Sequence, residues 1–154
     1  MFHLIILKKK KDTVLKNIDI EIPAGSRIGI IGKSGSGKST LADLILGLLN
    51  PNSGNILVDG KDIKNKKQSW FSNVSSVPQN IFITDQSIAE NIAFGMDKNK
   101  IKLKEVKNAC KKAQIDAFIE AKDNKYNNLI GEKGIKISTG QKQRLAIARA
   151  LYKQ

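Results

Sequence analysis

The chain has 154 residues, which suits one domain with a sizeable core, and it carries a formal net charge of +13 at pH 7. A single cysteine (Cys110) excludes an internal disulfide, and a single histidine (His3) leaves no set of Cys and His ligands for structural zinc. No apolar run is long enough to span a bilayer, so any membrane link is expected to run through a partner. Because 24 of the 27 basic residues are lysines scattered along the chain, the charge alone does not indicate a nucleic-acid-binding surface.

The first part of the chain predicts β structure. Leu4–Leu7 and Val14–Ile22 are expected to be strands, the second because its apolar residues alternate, and Lys8–Lys11 between them is expected to be a solvated turn. Pro23–Ser26 then turns the chain into a short apolar strand at Ile28–Ile31. That strand leads directly into the most informative motif of the sequence.

Residues Gly32–Thr40 fit the phosphate-binding loop G-x-x-x-x-G-K-[S/T], in the strand–loop–helix setting that this loop requires. Its glycines allow successive backbone N–H groups to converge on phosphate oxygens, and the positive end of the following helix also favours an anion. Lys38 is expected to contact the β and γ phosphates of a nucleoside triphosphate, and Ser39 to bind a magnesium ion. The alternative is a glycine- and serine-rich linker that matches by accident, against which the flanking strand and helix argue. The predicted nucleotide contacts of this loop are Gly32, Ser34, Gly35, Ser36, Gly37, Lys38, Ser39 and Thr40.

Between the phosphate loop and residue 80 the pattern predicts one helix and two strands. The helix that begins at Lys38 is expected to end at the helix breakers Asn50–Gly54, and Asn55–Gly60 is expected to be a short strand with a turn. A polar, lysine-rich connection follows, and Val74–Gln79 is expected to be a strand that ends at a proline.

Beyond Ile81 the pattern becomes helical. The expected helices are Ser87–Phe94, Leu103–Cys110, Ile115–Ala121 and, after a loop-like stretch at Asn124–Ser138, Thr139–Tyr152 with Leu145, Ala148 and Leu151 on one face. The strand-rich front and the helix-rich back of the chain predict two subdomains.

Two further motifs narrow the class of protein. Val77–Gln79 and Ile137–Arg144, the second followed by Leu145–Tyr152, lie downstream of the phosphate loop in that order. Together the three motifs closely resemble the ATP-binding domain of ABC transporters, in which they correspond to the phosphate loop, the Q-loop and the signature motif. Ser87–Gly95 and Ile130–Gly134 resemble the exporter branch of that family, where the latter segment lies near the interface with the membrane domain.

The resemblance implies an α/β fold with a P-loop NTPase core, an N-terminal antiparallel β region and an inserted helical subdomain. The ATP-binding core and β region would occupy residues 1–82, the helical subdomain ending in the signature motif residues 83–143, and the start of a return to the core residues 144–154. It also implies that ATP, bound with Mg²⁺, is hydrolysed to drive export at the cytoplasmic face of a membrane, through a transmembrane partner or fused domain. Lys38 and Gln79 correspond to catalytic residues, and Ser39 and Gln79 to residues that contact the metal. Ser138 and Gly140 correspond to residues that contact the γ-phosphate held by a second ATP-binding domain, in a head-to-tail dimer. A nucleic-acid partner is not expected.

Two of these residues also have a purely structural interpretation. Gln79, without the other motifs, is an ordinary turn glutamine. Ser138 and Gln141 fit a capping box, in which each side chain satisfies a backbone donor at the start of a helix. The capping and phosphate-binding interpretations of Ser138 are compatible, because a capped helix N-terminus that presents a hydroxyl and a glycine amide is itself suited to phosphate.

The sequence departs from the family pattern in three ways. Thr139 replaces the first of the two glycines that the signature commonly has, and Leu7 or Lys8 stands where an aromatic residue usually stacks on adenine. The sequence also stops before the apolar strand that ends in the magnesium-linked Asp and the catalytic Glu, and neither Asp85 nor Glu132 follows a buried strand that would suit it as a replacement. We therefore expect a C-terminally incomplete core, weak ATP binding by the isolated chain and negligible turnover.

Two alternatives to a clipped exporter ATPase remain open at this point. The first is a non-catalytic fragment that at most pairs with an intact ATPase. The second is a soluble ABC-type ATPase that acts on nucleic acid, which the basic charge favours. The exporter-like segments Glu90–Ile92 and Gly131–Glu132 argue against the second alternative.

Overall fold

The computed structural model describes residues 2–6 as backbone, and residues 14–131 and 137–153 in full. The chain divides into two compact units, and the boundary between them falls between Val74 and Ser75. The finer division expected from the sequence, with boundaries after residues 82 and 143, stays a prediction.

The first unit contains the expected antiparallel β region. Its strands are β1 (Phe2–Ile6), β2 (Ile18–Ile22), β3 (Asn55–Val58) and β4 (Lys61–Asp62), and they form one antiparallel sheet in the order β2-β1-β3-β4. In the register of the sheet, the Cα of Leu4 lies opposite Ile20 on one side and Ile56 on the other. The second strand begins four residues later than expected, at Ile18, because Asn17 adopts a left-handed backbone with φ of 50°.

Helix α1 (Lys38–Ile45) packs on this unit through its apolar face, and Leu44 forms a buried cluster with Ile56 and Ile63. Helix α2 (Lys67–Asn73) is fastened to the end of α1, because the indole Nε1 of Trp70 donates a hydrogen bond of 2.9 Å to the carbonyl of Ile45. The lysine-rich stretch after Gly60 was expected to be a simple connection. That prediction is wrong, because the stretch holds β4, a single 3₁₀ turn and α2.

Two predicted strands are also wrong. Neither Ile28–Ile31 nor Val74–Gln79 forms a strand, and no strand among the described residues pairs with either segment. The side chain of Ile31 is 99% exposed, and Ile28 and Ile30 are exposed as well. An extended segment becomes a strand only when a neighbour accepts and donates its backbone hydrogen bonds, so the apolar pattern alone did not determine the outcome.

The second unit is helical, as expected. Its helices are α3 (Ile88–Ile92), α4 (Leu103–Lys112), α5 (Asp116–Glu120) and α6 (Thr139–Tyr152), with single 3₁₀ turns at Lys98–Lys100 and Lys125–Asn127. The bounds of α6 match the prediction, and Leu145 and Ala148 are buried in the core of the unit while Leu151 packs against it. Over the stretches of chain that the structure describes, no helix combines the length and apolar character needed to cross a membrane.

Candidate nucleotide-binding site

The phosphate loop of the first unit has a backbone that only glycine adopts easily at two positions. Gly35 has φ of 78° and Gly37 has φ of 89°, both in the left-handed region. Gly32 is restricted differently, because a Cβ built there would lie 2.6 Å from the hydroxyl oxygen of Ser36. The spacing of glycines in the motif therefore corresponds to real constraints on backbone angle and close approach.

Lys38, the first residue of α1, folds back over this loop. Its ammonium nitrogen donates hydrogen bonds of 2.8 Å to the carbonyl of Gly32 and 2.7 Å to the carbonyl of Lys33. The amide of Ser36 closes the turn with a 3.2 Å hydrogen bond to the same Lys33 carbonyl. The positive charge is thus held at the mouth of the loop, between its first residues and the start of the helix.

The N-terminus of α1 is open to an anion. Gly37 occupies the N-cap position and has no side chain to accept a hydrogen bond, and the first turn contains no acidic residue. Ser39 is exposed and Thr40 is half-buried just beyond the cap. Uncapped amides, the positive end of the helix and the Lys38 ammonium together form an arrangement suited to phosphate.

The start of α6 in the second unit has the predicted capping box. The amide of Ser138 donates to the Gln141 side-chain oxygen at 2.8 Å, and the amide of Gln141 donates to the Ser138 hydroxyl oxygen at 3.3 Å. Ser138, Thr139 and Gly140 are all exposed. Thr139 is the first helical residue, so threonine fits there without backbone strain.

Gly140 is not required by the packing of its own unit. A Cβ added at Gly140 would have no heavy atom within 4 Å, and its φ lies outside the left-handed region. Gln79 is likewise exposed, in a segment of the second unit with no regular secondary structure. The structure thus brings the residues of the phosphate loop together in the first unit, and it places Ser138 and Gly140 together at a helix start in the second.

Comparison with known proteins identifies the family. The family model described as ABC transporter matches residues 15–154. The chain belongs to the ABC transporter family. Among curated relatives, it is 42% identical over 142 residues to the mouse ATP-binding cassette sub-family B member 5, and 40% identical over 145 residues to the ATP-dependent lipid A-core flippase of Pectobacterium atrosepticum. These alignments cover 92% and 94% of the chain but only 11% and 25% of the relatives, so the chain spans a small part of each.

A solved structure supports the same assignment and the α/β fold. The chain matches the structure of a bacterial Atm1-family ABC exporter with ATP bound, with a TM-score of 0.87 and 37% sequence identity. The match covers 99% of this chain and 27% of the exporter chain. The expected fold class, a nucleotide-binding domain with an antiparallel β region and a helical part, is therefore confirmed.

The residues at which the sequence departs from the ABC pattern, and the two acids rejected above as replacements, add no further site. Leu7 and Lys8, one of which was expected in place of the adenine-stacking aromatic, and Glu132 fall outside the fully described ranges, and Asp85 is an exposed loop residue. Among the residues that the structure describes, no three His, Cys, Asp or Glu side chains cluster as metal ligands. Magnesium at a nucleotide site needs no such cluster, because it binds through one or two protein oxygens, phosphates and water.

The helical unit of this ABC domain contains a polar network that was not predicted from the sequence. Asn91 is only 1% exposed, and its side-chain oxygen accepts from the amide and hydroxyl of Thr84 at 2.9 and 3.1 Å. Arg149 of α6 donates to the backbone carbonyl of Asn91 at 2.8 Å and to that of Phe82 at 3.0 Å. Burial lowers the pKa of Arg149. A capping box between Ser87 and Glu90 also begins α3, and its S-x-x-E spacing was detectable in the sequence.

Proposed function

We propose that this chain is the ATP-binding domain of an exporter, in which ATP binding and hydrolysis drive transport by a transmembrane partner or fused domain. The observation on which the proposal chiefly rests is the phosphate loop, in which constrained glycines, an uncapped helix and the Lys38 ammonium converge. Similarity to an ATP-dependent lipid A-core flippase and to an ATP-bound ABC exporter supports the exporter assignment.

Each site residue has a proposed role. The amides and hydroxyls of residues 32–40 hold the triphosphate, and Lys38 moves its two hydrogen bonds from loop carbonyls to the β and γ phosphates. Ser39 and Gln79 provide oxygen ligands for Mg²⁺, directly or through its water, and both side chains are exposed. The metal, when bound, neutralises charge on the phosphates. Gln79 also orients the attacking water.

The test is ATP binding by the chain, measured by calorimetry with Mg²⁺ present. Lys38→Met removes the ammonium that contacts phosphate, and we expect the Kd for ATP to rise about tenfold or more, the loss of one or two charge-assisted hydrogen bonds. Lys33→Met is the matched control, because it removes a lysine from the same loop whose backbone, not its ammonium, makes the observed contacts. Equal affinity for wild type and Lys38→Met, or no binding by either, contradicts the proposal.

We also propose that the isolated chain binds ATP weakly and hydrolyses little. The segment that leads into the phosphate loop supports this, because Ile28, Ile30 and Ile31 are exposed and no described strand pairs with them. A loop entered from an unpaired segment loses some of the rigidity that binding needs. Phosphate release from wild type well above that of Lys38→Met would contradict this part of the proposal.

The start of α6 is proposed to complete the site of a second ATP-binding domain. Ser138 and Gly140 would contact the γ-phosphate bound by that domain, and ATP would hold the two domains head to tail. Three features support this role: α6 is a 14-residue helix, its first turn has no acidic residue, and its start is exposed. The open space around Gly140 is a fourth feature. Packing within the unit does not require glycine at this position, and alanine would stabilise the helix, so glycine there favours a role in close contact with a ligand.

Gly140→Ala separates folding from this proposed contact. We expect the thermal midpoint to stay constant or to rise slightly, because alanine favours the helix and the added Cβ touches nothing. We expect ATP-dependent association of two chains, measured by sedimentation with Mg²⁺ and ATP, to weaken by about tenfold, because a Cβ blocks close approach of phosphate. Gln143→Ala, an exposed position on the same helix, is the control. Unchanged association in Gly140→Ala would contradict the dimer proposal.

An exposed aromatic patch on the second unit is a candidate surface for binding a partner protein. Phe82 is 64% exposed and Phe94 is 50% exposed, their rings stand edge to face with centroids 6.2 Å apart, and Met96 is exposed too. Neighbouring exposed apolar side chains mark interaction sites more often than isolated ones do. We propose that the transmembrane partner contacts this patch and holds the domain at the cytoplasmic face of the membrane.

A further inference from the structure

Arg149 connects α6 to the stretch of chain that follows Gln79. Its Nε donates to the carbonyl of Asn91, near the C-terminal end of α3, and one terminal nitrogen donates to the carbonyl of Phe82. The guanidinium carbon also lies 4.8 Å from the centroid of the Phe94 ring. One side chain therefore bonds to two carbonyls nine residues apart, the nearer of which lies three residues beyond Gln79.

The side chain of Asn91 holds the loop between Phe82 and α3 against α3. Its side-chain nitrogen donates to the carbonyls of Thr84, Gln86 and Ser87, at 3.1, 3.3 and 3.1 Å, and its oxygen accepts from the amide of Thr84. The loop before α3 is thereby fixed to α3, and Arg149 fixes α3 to α6. Displacement of α6 must move Phe82 and the loop together or break these bonds.

Arg149 also lies on α6, the helix whose start carries the proposed γ-phosphate contacts Ser138 and Gly140. It follows Gly140 by nine residues, which is about 14 Å along the axis of an α-helix. We propose that Arg149 is a positioning residue, which holds the segment after Gln79 at a fixed place on α6 and thereby links Gln79 to the helix end formed by Ser138 and Gly140. This inference rests on the proposed function, because it gives Gln79 and Ser138 their nucleotide roles.

The chemistry of arginine suits this role better than that of lysine. The guanidinium presents several N–H donors in a rigid plane, so it can reach two carbonyls at once while its face lies on an aromatic ring. A lysine ammonium can replace one of these bonds but cannot reproduce the fork. Arg144, on the same helix, donates a 3.2 Å hydrogen bond to the carbonyl of Gln114 and so contacts a different part of the unit.

The experiment measures how much Mg²⁺ strengthens ATP binding, as the ratio of Kd in EDTA to Kd in Mg²⁺. In ATP binding, the proposed contribution of Gln79 is made through the metal, whereas the phosphate loop binds ATP with or without the metal. We expect Arg149→Gln and Gln79→Ala each to lower this ratio about fivefold, and Arg149→Gln to leave the Kd in EDTA within about twofold of wild type. The double variant should fall no further than either single variant, because both act on one contact. Lys107→Gln should keep the wild-type ratio, because it removes a cation of the same unit that lies over the Tyr126 ring, 5.5 Å from its centroid, and makes none of the Arg149 contacts.

Hydrogen exchange tests the anchor itself without nucleotide. In Arg149→Gln we expect amides 82–86, including that of Thr84, to exchange about tenfold faster, while α4 and α5 exchange at the wild-type rate. If Arg149→Gln does not fold, Arg149→Lys replaces it, and we expect changes in the same direction but smaller, because lysine can keep one of the two hydrogen bonds.

Three results would overturn the inference. They are a wild-type ratio with wild-type exchange in the Arg149 variant, an equal loss of affinity in EDTA and in Mg²⁺, and an additive double variant. Failure of the proposed function is distinguishable, because wild type would then bind no ATP while the exchange measurement still decides whether Arg149 holds the segment.

Discussion

Single residues in the phosphate loop show why the motif needs glycine. A Cβ at Gly37 would lie 2.8 Å from the Cδ2 atom of Leu15 and 3.1 Å from the Cγ1 atom of Val14, on a backbone with φ of 89°. Leu15 itself packs against the buried cluster around Leu44, so it cannot move away without disturbing that cluster. Position 37 therefore combines two separate penalties, backbone strain and steric overlap.

Gly37→Ala and Gly25→Ala separate those penalties. Gly25 has φ of 74° but no heavy atom within 4 Å of a built Cβ, so Gly25→Ala should cost about 1–2 kcal/mol of unfolding free energy from strain alone. Gly37→Ala should cost about 1–3 kcal/mol more, because the overlap adds to the strain. Urea unfolding of both variants measures the difference. Equal costs would show that Leu15 and Val14 adjust freely.

The sequence predicted some residues and not others for a simple reason. Lys38 and its glycines belong to one local motif, whose chemistry fixes the spacing, and the structure has the expected backbone there. Arg149 and Asn91 depend on each other across 58 positions, and no local pattern indicates that the carbonyl of Asn91 needs a donor from α6. A role that depends on a contact between residues far apart in the chain cannot be predicted from the pattern of neighbouring residues.

Helices and strands were likewise predicted correctly where local sequence determines them, and missed where a distant partner does. Helix α6 was predicted with its bounds because the capping box and the apolar stripe that define it both lie within its own sequence. Ile28–Ile31 has the apolar pattern of a strand but needs a neighbour for its hydrogen bonds, and among the described residues it has none. Helix α2 was missed because it has few apolar residues and is held by Trp70, whose bond partner lies in α1.

The capping box of α3 makes a prediction about pH. The hydroxyl and amide of Ser87 donate to the Glu90 carboxylate, and Lys98 lies 3.6 Å away, so these contacts lower the pKa of Glu90 below its ordinary value. A carboxyl whose pKa is lower in the folded state stabilises the protein above its unfolded pKa, and this stabilisation is lost as pH falls through the folded pKa.

Glu90→Gln tests that sign. Glutamine keeps an oxygen for the amide of Ser87, as Gln141 does in the other box, so the variant removes mainly the charge. We expect wild type to be more stable than Glu90→Gln above about pH 5 and the difference to shrink toward about pH 3. Thermal unfolding across this range measures it. Gln141→Ala is the control, because it removes an uncharged cap and its cost should be the same at each pH.

At the scale of the whole chain, net positive charge and an exposed apolar segment have opposite effects on self-association. The net charge of +13 repels other copies at low ionic strength, where screening is weak. Ile28, Ile30 and Ile31 offer exposed apolar groups on a segment that no described strand pairs, which is a surface prone to self-association. Added salt weakens the repulsion and leaves the apolar attraction, so the balance between them shifts toward association.

Ile31→Lys makes this balance measurable. Light scattering from wild type should increase as NaCl rises from about 20 to about 300 mM, because the screening length falls severalfold over that range. Ile31→Lys should scatter less at high salt and keep its thermal midpoint, since the replaced side chain is 99% exposed and contributes little to packing. Leu129→Lys, which adds the same charge at an exposed apolar residue of the second unit, is the control. An equal reduction by both variants would attribute the effect to net charge and not to the isoleucine segment.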